Sequence, residues 1–317
     1  MSFRPFAFSI IFITIIFLFS GNLFISKALA VSPSSISVKV APENPNPNQD
    51  VNISLSSYAA NLDSVLITWL VNNKIISSGI GKKSFSLTAG ASGTESIVLI
   101  KISLPDGEIE LRRAVRPGNM VLLWQAIDSY VPPFYKGKAL ATEDGTIKVV
   151  AMPEIRNASG NIANAKNMTY SWKLNYDNEP SASGYGKNYF IYDNDYLESA
   201  NTVSVVVNTL DQNYGAEASL NVPTTKSKIV FYKRDLKMGT LWENALQNNH
   251  KIEEEERIEA APYFISPKIL SNPSLIWTWG LNNSQVFPSK LTQNIIPLKK
   301  VQGVSGSAKL SLFIENN

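Results

Sequence analysis

The sequence predicts an all-β protein of three antiparallel β-sandwiches in tandem behind an N-terminal signal peptide, and three observations carry that expectation. A tryptophan set inside a strand recurs at Trp69, Trp172 and Trp279, at intervals of 103 and 107 residues. Around each Trp, apolar and polar residues alternate in short runs divided by turns rich in Gly, Pro, Asn and Asp, with strands about ten residues apart. The 317 residues include no cysteine, so an exported chain of this kind has no disulfide staples or thiolate metal sites and must be held by packed cores.

The first thirty residues stand apart from the repeats. Arg4 supplies a positive start, Phe6 to Phe19 is apolar except for Ser9 and Thr14, and Ala28-Leu29-Ala30 ends the segment. That order describes a secretory signal peptide cut after Ala30. The alternative is an uncleaved membrane anchor, since Phe6 to Ile25 is about as long as a bilayer span. No cysteine stands at the cut, so lipid attachment there has no support. Of 29 basic and 26 acidic residues, the leader holds Arg4 and Lys27 and no acid, leaving 27 against 26 in the mature chain. A balance this near zero gives no argument for nucleic acid or for an anionic membrane surface.

The repeats then follow in order. Val65, Ile67, Trp69 and Val71 share one face of a strand, as do Tyr170, Trp172 and Leu174, the period-two pattern of a half-buried strand. Three residues after each Trp comes Asn72, Asn175 or Asn282, as befits a turn. The runs at 51–57, 147–153 and 257–263 precede the tryptophans, and alternating strands ("ESIVLIKI", "NTVSVVVN", "SAKLSLFI") follow them. A second similarity links 120–140 with 228–246, each an entry strand and a first crossover; within the latter, "TLWENALQNN" reads as a short helix or an irregular loop. The expected domains are 31–116, 117–224 and 225–317. The short links at 116–118 and 223–225 imply a semi-rigid rod. The first two domains carry a further strand after the alternating one ("EIELRRAV", "AEASLNV"), whereas the third reads as one strand short. An open sheet edge of that kind is a template for strand pairing with a partner or with a neighbouring copy; the alternative is a truncated or divergent gene.

The Trp-centred strand, the domain size and the lack of cysteine resemble bacterial immunoglobulin-like and polycystic-kidney-disease-type extracellular repeats. The paired "SGIGK" and "SGYGK", with "PPFYKGKAL" and "VVAMP", are similar to secreted tandem-domain proteins of ultrasmall, uncultured bacteria. The resemblance covers nearly all of 33–317 and implies immunoglobulin-like sandwiches. Its motifs are structural, so it implies no catalytic residues. The third repeat departs from it, because nothing like Ser-Gly-x-Gly-Lys follows Trp279.

The candidate chemistry is sparse. "SSGIGKKSF" and "SASGYGKNYF" look like phosphate-binding loops, but the glycine needed five positions before the Gly-Lys pair is absent, and Phe85 and Leu87 alternate as in a strand. Gly79, Gly81, Gly184 and Gly186 instead mark a corner needing positive φ or close backbone approach. His250 has no nucleophile motif beside it, and Glu253 to Glu256 reads as a solvated acidic run. Asp193, Asp195 and Glu198 offer hard oxygen ligands for a weak Ca²⁺ site, against a plain polar turn. Trp124, Tyr130, Phe134 and Tyr135, with later tyrosines including Tyr196, form a candidate aromatic patch for sugar rings or a protein partner; the alternative is that they cover the junction of the first two domains and the sandwich ends. The expected function is an exported, non-enzymatic structural, adhesive or assembly protein of the cell surface or envelope, with a protein or glycan partner and no cofactor. The alternative is a carbohydrate-binding accessory array or a hydrolase acting through paired carboxylates.

Overall fold

A computed structural model describes residues 32–157, 159–195, 197–288 and 292–316, so the signal-peptide segment 1–30 and Tyr196 lie outside the described residues. The chain divides into two compact units. One comprises the chain up to Ala41 with Asn52–Leu87 and Ser96–Ala114; the other comprises Pro42–Val51, Thr88–Glu95 and the chain from Val115 onward. Among the described residues no helix is long and apolar enough to cross a membrane.

The strands form six antiparallel sheets in three successive pairs. In the first pair, β1 (Ile36–Ala41), β2 (Asp50–Ser57) and β5 (Ser84–Thr88) make one sheet. Its partner is ordered β4-β3-β6-β7, from β3 (Leu66–Val71), β4 (Lys74–Ile80), β6 (Ser96–Leu104) and β7 (Gly107–Val115). The chain crosses between sheets after β2, β4 and β5, which is the Greek-key connection of immunoglobulin-like sandwiches. Alternation in "VNISLSS" and "LITW" buries Ile53, Ile67 and Trp69, and Trp69 stacks on Phe85 of the facing sheet at 5.4 Å.

The second pair repeats the plan. β13-β9-β8 comprises β8 (Asn119–Ala126), β9 (Thr146–Glu154) and β13 (Tyr189–Asp193). The facing sheet runs β11-β10-β14-β15, from β10 (Met168–Leu174), β11 (Asp177–Asn178), β14 (Ala200–Thr209) and β15 (Gly215–Pro223), with β12 (Gly184–Tyr185) also on β10. Between them Ile147, Val149, Tyr170, Trp172, Phe190 and Val205 pack as one core.

The third pair departs at both edges. β16 (Lys228–Asp235), β18 (Glu255–Tyr263) and β21 (Ile295–Lys299) gain an outer strand, β17 (Gly239–Ala245). Thus "TLWENAL" is an edge strand rather than a helix, with an irregular register between Thr240 opposite Arg234 and Ala245 opposite Tyr232. Gly239, at φ +82°, turns the chain back, and Thr240 pairs with Arg234. The facing sheet has three strands, β20 (Ser284–Val286), β19 (Leu275–Leu281) and β22 (Leu310–Asn316), with β22 bonded on one side only among the described residues.

The repeated residues now acquire a shared mechanism. Trp69, Trp172 and Trp279 are all fully buried, and a buried indole N–H requires an acceptor. Each finds a backbone carbonyl 13 to 15 residues on: Lys82 at 2.9 Å, Lys187 at 2.9 Å and Gln293 at 2.7 Å. The Gly-x-Gly-Lys corner is the device that brings the Lys carbonyl there. Gly81 and Gly186 sit at φ +69° and +70° and donate to the Val65 and Met168 carbonyls. Gly184 also has positive φ, whereas Gly79 does not; a Cβ on Gly79 would press on the Lys82 side chain. Asn72, Asn175 and Asn282 all take positive φ, and each exchanges two bonds with one residue across the turn. Their side-chain oxygens accept from Ile97, Thr202 and Lys309, whose carbonyls accept the Asn backbone N–H.

Candidate functional site

The aromatic residues singled out in the sequence separate into three environments. Trp124 lies on the inner face of β8 against the second core, with the Lys138 ammonium 3.1 Å from its ring centre. Phe134 is 84% exposed at φ +64°. Tyr130 and Tyr135 lie against residues 263–265, at the join of the second and third sandwiches rather than the first and second. They therefore do not form one open patch with Trp124.

This join is built from the β8–β9 connection, residues 127–145. Tyr130 N–H donates to Ile265 O at 2.8 Å, and Phe264 N–H donates to Tyr130 O at 2.8 Å, a one-residue antiparallel ladder. Tyr135 meets Tyr263 and Phe264 edge-on at 5.6 and 5.9 Å. The link itself is pinned where Thr225 N–H donates to Ala141 O at 2.7 Å and Ser227 Oγ to Phe264 O at 2.7 Å. Beneath lies a polar network. Glu259, nearly buried, accepts from Arg234 at 2.5 Å, from Thr240 and from Asn294. Tyr232 and Tyr263 share a short hydroxyl–hydroxyl bond, and Tyr232 packs on Trp242 of β17 at 5.1 Å. Burial, and then the Glu259 charge, push the Tyr130 phenol up; burial and the Tyr232 bond raise Tyr263. A cavity of about 410 Å³ beside the join is lined by Thr142, Glu143, Asp144, Lys226, Ser227 and Ser266.

The candidate Ca²⁺ ligands do not converge. Asp193 accepts from Thr146 Oγ1 at 2.7 Å, Asp195 caps the Leu197 N–H at 2.9 Å, and Glu198 contributes its backbone carbonyl to Thr224 Oγ1. The segment turns Asn194 inward instead. It is buried, donates to Thr142 O and Thr224 Oγ1, and accepts from Asn201, which in turn accepts from Asn175. An amide can be buried because it is neutral and supplies both donors and acceptor; a carboxylate there would need cations. Among the described residues no three His, Cys, Asp or Glu side chains come together as a metal group.

Glu253 to Glu255 of the acidic run are exposed, as expected, but Glu256 is not. Glu256 is buried, with its carboxylate 2.6 Å from His250 Nε2 and 3.3 Å from Lys233 Nζ, while Lys233 also reaches Glu253 at 2.8 Å. Burial opposes the Glu256 charge. The bonds from His250, the Glu253 backbone and Lys233 outweigh burial and hold its pKa below the ordinary value. Sequence spacing held no sign of this, because Lys233 comes from β16, twenty-three residues away.

The chain matches no protein-family model and no curated protein. Solved structures with tandem domains do align. The fibronectin(III)-like modules of Clostridium thermocellum CbhA are 15% identical, covering 60% of this chain and 94% of theirs at a TM-score of 0.27. Three N-terminal domains of the bacteriophage RB49 highly immunogenic outer capsid protein are 8% identical, covering 88% and 96% at 0.23. Drosophila OTK extracellular domains 3–5 are 8% identical, covering 89% and 97% at 0.20. Scores this low carry nothing about function.

Proposed function

We propose that the protein is an exported, non-enzymatic structural or adhesive component of the cell surface or envelope. The observation that supports this reading is the join between the second and third sandwiches. Domains on a loose tether need only a linker. Here the β8–β9 connection adds paired backbone hydrogen bonds and two tyrosines to hold the neighbour in place. Fixing adjacent domains serves the presentation of a surface or the transmission of load. The polar groups gathered there are paired with one another, Glu259 with Arg234 and Tyr232 with Tyr263. Strand β22, bonded on one side among the described residues, is the edge through which a partner strand would add.

The test is made on cells producing the chain. The recovered protein is expected in the envelope or medium, beginning at Val31. Incubated with envelope material and glycans, with and without Ca²⁺, it should be retained without cleaving them, and hydrogen exchange over 310–316 should slow. Recovery of an unprocessed chain in the cytoplasm, or release of hydrolysed glycan, would overturn the proposal.

A further inference from the structure

The outer face of the β13-β9-β8 sheet is apolar. β8, β9 and β13 read Val121-Leu122-Leu123-Trp124, Val149-Val150-Ala151-Met152 and Tyr189-Phe190-Ile191-Tyr192, apolar on both faces rather than alternating. Their registers place Val121 beside Met152, Leu123 beside Val150, and Val150 beside Tyr189, with Ile191 one step along. Leu123 and Met152 are 54% and 53% exposed, and Val121, Tyr189 and Ile191 are close behind. Strands that are apolar on both faces normally belong to sheets covered on both sides.

The other two sandwiches keep that rule. In the first, the corresponding face presents Ser37, Lys39, Ser54, Ser56, Ser84 and Ser86 and needs no cover. In the third, Tyr232, Glu259 and Ala261 on the corresponding face are buried, with Trp242 of β17 over Tyr232 and Tyr130 and Tyr135 alongside. Of these three corresponding faces, only that of the second sandwich is apolar and exposed among the described residues.

We propose that this face packs against the same face of a second copy of the chain. Five half-exposed side chains around the part-buried Val150 present roughly 450 Å² of apolar surface, the size of the largest patch on a typical monomer, which is often functional. Two such faces together remove about 900 Å², just below the size of stable complexes, so the pairing is weak and concentration-dependent. Charge selects the symmetry. A twofold axis in the interface and across the strands, centred at Ala151, lays β9 antiparallel over β9 of the copy. It sets Val150 over Met152 and Lys148 over Glu154. An axis along the strands would set Lys148 over Lys148 instead. Lys148 stands ready on this face, its ammonium 4.8 Å from the Tyr189 ring centre, and Glu154 is half-exposed beside Arg156 at 2.7 Å.

Sedimentation equilibrium of the full chain, as the cell processes it, tests this from about 1 μM to about 1 mM, the range in which interfaces of this size associate. Monomer should pass to dimer across that range. Leu123→Glu should weaken association at least about tenfold, the result of placing a carboxylate in an apolar contact. Met152→Lys stands in should that variant fail to fold, and Ser54→Glu in the first sandwich should change nothing. Lys148→Glu and Glu154→Lys should each weaken dimerisation, and the two combined in one chain should restore it. A chain that stays monomeric, a dimer indifferent to Leu123→Glu and Met152→Lys, or a double variant no better than the singles would overturn the proposal. Capture of a different envelope protein through this face, without self-association, would also overturn it.

Discussion

Gly81 and Gly186 occupy the same corner of successive sandwiches, yet replacing each with alanine should have unequal consequences. Both sit in the left-handed region, at φ +69° and +70°, where an L side chain costs about 1–2 kcal/mol. They differ in what a Cβ would meet. At Gly186 the nearest atom is Lys166 O at 3.3 Å, which can yield by a few tenths of an ångström. At Gly81 it is the Asp63 backbone carbonyl at 2.9 Å, with Asp63 C and Cα behind it at 3.5 Å, so backbone must move. Overpacking of that kind adds about 1–3 kcal/mol. Gly186→Ala should therefore cost about 1–2 kcal/mol and Gly81→Ala about 2–5 kcal/mol. In a domain of this size that corresponds to about 4–8 °C in Tm per kcal/mol. Because several domains do not unfold as one two-state unit, the assay is hydrogen exchange read separately over 76–88 and 181–192. Asparagine, which tolerates positive φ, separates the two terms: Gly186→Asn should approach the parent, whereas Gly81→Asn should remain damaged. Equal costs for the two alanine variants, or full rescue by Asn at both sites, would refute the reasoning.

Three further outcomes follow from the same structure. Glu256 has a depressed pKa, so its stabilisation is present above its unfolded value near about 4.3 and is lost as pH falls through the folded value; exchange protection of β16–β18 should fall there, and Glu256→Gln should flatten that dependence while loosening the region at neutral pH. Burial raises Tyr170 and Tyr192 to about 12, so their stabilisation is complete below the ordinary phenol value of about 10 and disappears as pH rises through 12; the second sandwich should loosen across that window, with phenolate absorbance as readout. Tyr130→Pro removes the donor to Ile265 O and Tyr135→Ala removes the ring on Tyr263; spin labels in the second and third sandwiches should report a broader distance distribution, while both cores keep their exchange protection.

Much of the architecture was legible because it rests on local periodicity. A Trp on an alternating strand, an Asn at the following turn and a glycine pair at the next corner each leave a mark in one short window, and their recurrence announces the sandwiches. The link between those marks was not legible. The acceptors of the three indole N–H groups are backbone carbonyls, and a carbonyl has no residue type, which is why Gln293 can serve the third sandwich without the Gly-x-Gly-Lys motif. The surroundings of the candidate site residues were not legible for a related reason. "YDNDYLES" is rich in carboxylates, but burial selects Asn194, the neutral side chain among them. Glu256 sits in an apparent solvent-facing run, yet it is paired by Lys233 from another strand. "TLWENAL" carries good helix formers and still becomes β17, because pairing with β16 overrides a preference of a few tenths of a kcal/mol per residue, about the spread of helix propensities. Tyr130 and Tyr135 were visible as aromatics, but their destination at 263–265 is a contact across more than 125 residues.

The reach of the 127–145 connection makes the third sandwich dependent on its predecessor in a way that bears on synthesis and on shuffling. In N-to-C order this connection leaves the ribosome before the segment it pairs with, so Tyr130 and Tyr135 are waiting when residues 263–265 arrive. A third sandwich transplanted alone would lack the backbone pairing at Phe264 and Ile265 and the Tyr135 ring on Tyr263. Gene rearrangement could therefore exchange the first sandwich, whose outer face is serine-rich, more freely than the third, whose 263–265 segment is paired by the loop of its neighbour.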